Sequence, residues 1–154
     1  ILGASLAIST ISLIWNFWQE LRGPKITMNL GKPRYRINEP GRGIKCEVPI
    51  VFGNKGGKVG MITRIHPEVR IEGKEGKRPI RIFEVKEGGV RRYYDDPNSL
   101  SIVIGQSEPR ILWMEFSLPG QCRQYLLSVE AIVTESWRWK EKVKRGKWSL
   151  KLPL

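Results

Sequence analysis

The chain is 154 residues long, carries a net charge of +12, and is 40% hydrophobic and 27% charged. That length suits one domain, and the charge favours anionic partners over basic ones. A single histidine, His66, and two distant cysteines, Cys46 and Cys122, exclude the usual zinc sites; no catalytic constellation or cofactor motif is present.

No residue from Ile1 to Trp18 is charged. At about 1.5 Å per residue this segment is about 27 Å long as a helix, close to the roughly 30 Å of a hydrocarbon core. Trp15 and Trp18 stand at its end, Gly23-Pro24 stops the helix, and Arg22 and Lys25 flank that stop. The pattern predicts a transmembrane helix over residues 1–21, with Trp15, Trp18, Arg22 and Lys25 at the membrane surface. Asn16-Phe17-Trp18-Gln19 lacks the small residues of a signal-peptide cleavage site. The chain opens at Ile1 rather than Met, so the span is read as open upstream. Ser5, Ser9, Ser12 and Asn16 fall on one face at about 100° per residue, which predicts packing against other transmembrane subunits. Basic residues dominate from Glu20 to Lys45. The positive-inside tendency then places a domain over residues 22–154 on the cytoplasmic side, its basic collar against anionic lipid headgroups.

Beyond Leu21 the period changes. Short apolar runs alternate in twos between frequent Gly and Pro, the pattern of strands. Residues 25–30 open the series. In 44–52, Ile44, Cys46, Val48, Ile50 and Phe52 face one way, and Lys45, Glu47, Pro49 and Val51 the other. Residues 61–71 read as a strand interrupted at His66-Pro67, with Met61, Thr63, Ile65, Val69 and Ile71 on its inner side. Residues 79–86 and 101–104 are shorter strands. Segment 110–118 turns Leu112, Met114, Phe116 and Leu118 inward; segment 123–134 does the same with Tyr125, Leu127, Val129, Ala131 and Val133. The end reads as a hairpin, 137–143 and 148–152 about a turn at Lys144-Arg145-Gly146-Lys147. About eight strands without βα alternation predict a mainly β domain, an antiparallel β-sandwich of immunoglobulin-like type.

Gly53-Asn54-Lys55-Gly56-Gly57-Lys58 departs from a phosphate loop, because Phe52 holds the first Gly position and Val59 the hydroxyl position. It reads as a glycine-rich connection between strands. Asp95-Asp96-Pro97-Asn98 reads as a turn, without the alternating oxygen ligands of calcium loops. Cys46 shares parity with core residues, whereas Cys122 is out of phase with Tyr125 and Leu127. That disfavours a disulfide, and two free thiols remain the other reading. Trp137, Arg138, Trp139, Lys140 and Lys142 interleave indoles and cations. They form a candidate surface for a partner or an anionic surface, set against aromatic pairing over a core.

The sequence RGPKI at 22–26 and VPIVFGNKGGKVGMITRI at 48–65 resembles a loosely defined group of uncharacterised prokaryotic single-pass membrane proteins with a C-terminal immunoglobulin-like β-sandwich. The Asn54-x-Gly56 turn and the Gly60-x-Ile62 step carry the resemblance, which covers residues 5–72. It implies fold and anchoring, and no activity, cofactor or functional residue.

These readings predict a membrane-anchored, non-catalytic binding or structural protein, an accessory subunit of a larger membrane complex. The alternative is a membrane-tethered nucleic-acid binder using the basic C-terminal hairpin, marked by steep salt dependence.

Overall fold

The computed structural model describes residues 2–21, 24–37, 43–74, 76, 78–106, 109–135 and 141–153. Among the described residues, one helix, α1 (Leu2–Leu21), precedes ten strands: β1 (Ile26–Leu30), β2 (Arg34–Ile37), β3 (Ile44–Asn54), β4 (Gly60–Ile71), β5 (Arg81–Val85), β6 (Arg91–Tyr94), β7 (Ile102–Ile104), β8 (Arg110–Leu118), β9 (Gln124–Glu135) and β10 (Glu141–Lys151). They form two antiparallel sheets. Sheet A runs β1-β3-β8-β5-β6, with β2 also paired to β3; sheet B runs β10-β9-β4-β7.

The period of two puts one apolar face of each sheet against the other. Cys46, Val48, Ile50 and Phe52 of β3 and Leu112, Met114, Phe116 and Leu118 of β8 share a core with Ile62, Ile65 and Val69 of β4 and Tyr125, Leu127 and Val129 of β9. Phe116 and Tyr125 meet edge-on across the two layers, centroids 5.6 Å apart. Tyr125 is fully buried, and its hydroxyl bonds that of Tyr35 at 2.7 Å, so the polar tip is satisfied. Cys46 and Cys122 are both buried and free. Burial, with a smaller contribution from Cys122, pushes the Cys46 thiol up to about 12, which leaves it a packed, unreactive group.

Proline positions follow the edges. Pro49 lies in β3 between the stretch paired with β2, which ends at Glu47, and the stretch paired with β1, which begins at Ile50. In that gap no ladder needs its missing N–H, and its carbonyl accepts from Gly31 N at 2.9 Å. A side chain on Gly31 would stand 2.8 Å from the Pro49 ring, so the close approach requires glycine. Strand β4 runs unbroken through His66-Pro67, contrary to the expected interruption. β7 covers only Gly60–Ile62 of it, so its edge at Pro67 has no sheet partner among the described residues. A bulge between Ile62 and Arg64 shifts the phase, and Ile62 rather than Met61 is buried.

The C-terminal hairpin is also corrected. β10 is one strand paired with β9 from Glu141 to Lys151, and Lys144-Arg145-Gly146-Lys147 lie within it. Gly146 serves packing instead of turning: a Cβ there would collide with the Trp148 indole, which lies across it. The glycine-rich 53–58 segment does join strands, and Asn54 organises it. Its Oδ1 accepts from Lys25 N at 3.1 Å and Gly56 N at 2.9 Å. Its Nδ2 donates to the carbonyls of Lys58 at 2.8 Å and Ile104 at 3.0 Å. The amide thereby ties the approach to β1, the β3–β4 connection and the end of β7.

The expected transmembrane helix is corrected as well. Among the described residues, no helix is long and apolar enough to cross a membrane. The physical reason is composition: Ser5, Ser9, Thr10, Ser12, Asn16, Gln19 and Glu20 interrupt the apolar run of α1. The single-pass location with a cytoplasmic domain, and the membrane-surface role of Trp15, Trp18, Arg22 and Lys25, lose their basis. Trp15 and Trp18 are exposed on α1, Lys25 leads into β1 beside Asn54, and Arg22 lies outside the described residues.

Candidate functional site

The outer face of sheet A concentrates what the sequence scattered. Register places Glu47 of β3 directly opposite Glu115 of β8, Arg34 of β2 opposite Glu47, and Arg81 of β5 opposite Glu115. One step along, Trp113 is opposite Phe83, and Phe83 is opposite Tyr93. The strands thus lay two carboxylates beside three rings and a set of cations.

The rings form the lower layer. Phe83 stacks on Trp113 with centroids 6.1 Å apart and planes 10° from parallel, and it meets Tyr93 at 5.2 Å. Phe83 is 1% exposed although it points away from the core. Guanidinium groups supply the cover. Arg91 lies 4.6 Å above Phe83, Arg81 lies 4.0 Å from the Tyr93 ring centre, and Arg34 lies 4.7 Å from that of Trp113. Such cation–ring contacts contribute about 0.5–2 kcal/mol each, more as water is excluded.

The carboxylates fix the cations. Arg91 donates to both Glu47 oxygens, at 2.6 and 3.4 Å, and lies 3.7 Å from Glu115. The bond to Glu47 is the main cause that raises the Arg91 pKa further above its ordinary value. Tyr93 donates to Glu115 at 2.7 Å, and Lys45 pairs with it at 3.2 Å. Burial works to raise the Glu115 pKa, but Tyr93 and Lys45 outweigh it and hold the carboxyl below the usual range.

A separate ionic cluster closes one end of the sheet. Arg110 donates to both Glu84 oxygens at 2.7 Å, and Tyr94 donates to Glu84 at 2.6 Å. Burial, then the bond to Glu84, pushes Tyr94 up to about 12. At Glu84, burial is outweighed by Tyr94 and Arg110, and the carboxyl is held low. This cluster spends its donors internally.

The sequence-predicted positions are distributed differently. Ser5, Ser9 and Ser12 are exposed on α1, beside uncovered Leu6, Ile8, Leu13 and Phe17; Asn16 belongs to the same helix. Trp137, Arg138, Trp139 and Lys140 lie outside the described residues, and Lys142 is exposed at the start of β10. His66 is exposed on β4. Asp96 caps a turn, accepting from Asn98 N at 2.9 Å. Among the described residues no group of three or more His, Cys, Asp or Glu could hold a metal ion. Sequence reasoning passed over Arg34, Glu47, Phe83, Arg91, Tyr93 and Glu115. A signal existed in the outward parity of Glu47 beside Lys45 and of Glu115 beside Trp113.

No family model and no curated protein matches the chain. Among solved structures it is similar to a Northeast Structural Genomics Consortium target, SoR45, at 11% identity and TM-score 0.51, covering 83% of this chain and 87% of that one. It is also similar to a family 123 glycoside hydrolase from Clostridium perfringens, at 11% identity and TM-score 0.41, covering 84% of this chain but 28% of that one. The first likeness shows the fold alone, and the second is too distant to carry an argument. Fold and face together define a two-sheet antiparallel β protein with an arginine-capped aromatic surface.

Proposed function

We propose that the chain is a non-catalytic binding subunit of a larger assembly, and that the outer face of sheet A docks an acidic protein partner. The observation that carries this reading is the layer of guanidinium groups held on rings and carboxylates at fixed positions. Preorganised arginines bind carboxylate-rich surfaces without first losing side-chain freedom. From β2 to β6 the face spans four strand spacings, about 19 Å, a width suited to a protein contact.

Proton-transfer chemistry fits less well. Paired carboxylates recur in glycoside hydrolysis, but a general acid must hold its proton near neutral pH. Glu115 is held low, and both oxygens of Glu47 face Arg91. The uncovered apolar side chains of α1 support a place in an assembly, since contiguous apolar surface marks contact sites. Nucleic acid is served less well, because the rings that would stack on bases already carry arginines.

The test uses poly-glutamate as the acidic partner, with binding followed by anisotropy at near-physiological salt. Arg34→Glu with Arg81→Glu should weaken binding at least tenfold, while Arg70→Glu with Arg145→Glu, on the outer face of sheet B, should leave most of it. Equal losses from the two faces would mean that net charge alone drives binding, and the reading would be wrong.

A further inference from the structure

On the β2 side of this face, Arg34, Tyr35, Arg36, Lys45, Glu47 and Arg91 line a cleft of about 370 Å³. Small-ligand sites occupy about 300–1,000 Å³. Four of the six side chains are cations and one is a carboxylate. That carboxylate is engaged by Arg91.

The register creates a conflict that a ligand would resolve. Arg36 stands directly opposite Lys45, and like charges so placed repel. Arg34 lies two residues away on the same face, about 6.6 Å along the strand. Lys45 has a partial counter-charge in Glu115 at 3.2 Å. Arg34 stands opposite Glu47 in register, but Glu47 is taken by Arg91, and neither Arg34 nor Arg36 forms an ion pair with a carboxylate among the described residues. Arg34 packs on Trp113, its guanidinium carbon 4.7 Å from the ring centre.

We infer that this cleft is an oxyanion site that takes a phosphoryl group borne on a side chain of the partner. A carboxylate would engage one guanidinium fork. A phosphoryl group carries nearly two charges and three acceptor oxygens, matching Arg34, Arg36 and Lys45 together. The inference rests on the reading of sheet A's outer face as a partner surface, and it names what that surface recognises. Binding is reversible, and no covalent bond changes.

The experiment titrates the full chain with inorganic phosphate, a phosphoserine peptide, the same peptide unphosphorylated, and a sulfated oligosaccharide, read by calorimetry and amide chemical shifts. Inorganic phosphate should saturate one site, with shifts confined to β2 and the facing stretch of β3. The phosphopeptide should bind at least tenfold more tightly than its unphosphorylated form. Arg36→Ala should remove most of that preference, Arg36→Lys should restore part of it, and Arg145→Ala should leave it intact. Equal affinity for the two peptides, or a preference insensitive to Arg36→Ala, would overturn the inference. Tighter binding of the sulfated oligosaccharide through the same residues would overturn the assignment to a protein-borne phosphate. Poly-glutamate binding that survives Arg36→Ala without any phosphate preference would sink the cleft alone; loss of face-specific poly-glutamate binding would sink the surface as a whole.

Discussion

The outer faces of the two sheets use the same residue types and reach different results. On sheet B, Arg70 pairs with Glu68 and Arg145 with Glu130, and in both pairs the arginine is well exposed. Such pairs are screened, lose side-chain entropy, and contribute about 0–1 kcal/mol. On sheet A, Glu47 and Glu115 have side chains only 10% and 12% exposed, and Phe83, Tyr93 and Trp113 lie beneath the arginines. An apolar layer under a charge excludes water from one side and holds the charge in place. A cation on bare sheet is surface; a cation on a ring beside a buried carboxylate is a positioned group.

The contrast is broken most severely by removing the apolar layer. Phe83→Ala should destabilise the chain by about 3–5 kcal/mol, as core aromatic truncations do, although Phe83 points outward. Leu126→Ala on the outer face of sheet B, where Leu126 is 45% exposed, should cost less than about 1 kcal/mol. Urea denaturation of both variants measures the difference, and similar midpoints would erase the distinction between the faces.

Removing a carboxylate is the next largest change. Glu47→Ala leaves Arg91 without its two-oxygen partner and should cost about 2–3 kcal/mol. Glu130→Ala should stay within about 0.5 kcal/mol of wild type. Thermal melts at two salt concentrations check both values, and only the Glu130 pair should fade with salt.

Gly146→Ala sharpens the comparison from inside sheet B. The new methyl group must displace the Trp148 indole, at about 1–2 kcal/mol for overpacking. A shift in Trp148 fluorescence together with a lowered Tm is expected, and a neutral substitution would show that the indole moves freely.

The smallest effect appears in acid. Glu84 and Glu115 have pKa values held below the usual range in the folded chain, by partners that outweigh burial. Their contribution is therefore complete above the unfolded carboxylate value of about 4.3 and is lost as pH falls through the folded values. Tm followed from pH 7 to pH 3 should decline below about pH 4–5. Glu84→Gln with Glu115→Gln should flatten that decline; an unchanged slope would assign the acid sensitivity elsewhere.

Legibility in the sequence tracked length and periodicity. The inward sets of β3, β8 and β9 read directly from alternation and are buried as such. Strands β2 and β6, RYRI and RRYY, are not legible as strands, because four residues rich in arginine carry too little apolar signal. They supply Arg34, Arg36, Arg91 and Tyr93, much of the candidate site. Gly146 misled for the opposite reason: beside Lys and Arg it looks like a turn, and only the indole across it explains a glycine inside a strand. The uncharged run of α1 suggested a membrane span by length and flanks, while its hydroxyl and amide residues weigh against one.

The chain's own chemistry determined a basic, mainly β molecule and which side of each long strand turns inward, because alternation is a local property of successive residues. Tertiary structure alone decided that Glu47 meets Glu115, that Phe83 is buried on an outer face, and that Arg36 confronts Lys45. Those meetings depend on the register between strands far apart in sequence, and no local pattern encodes a distance across the sheet.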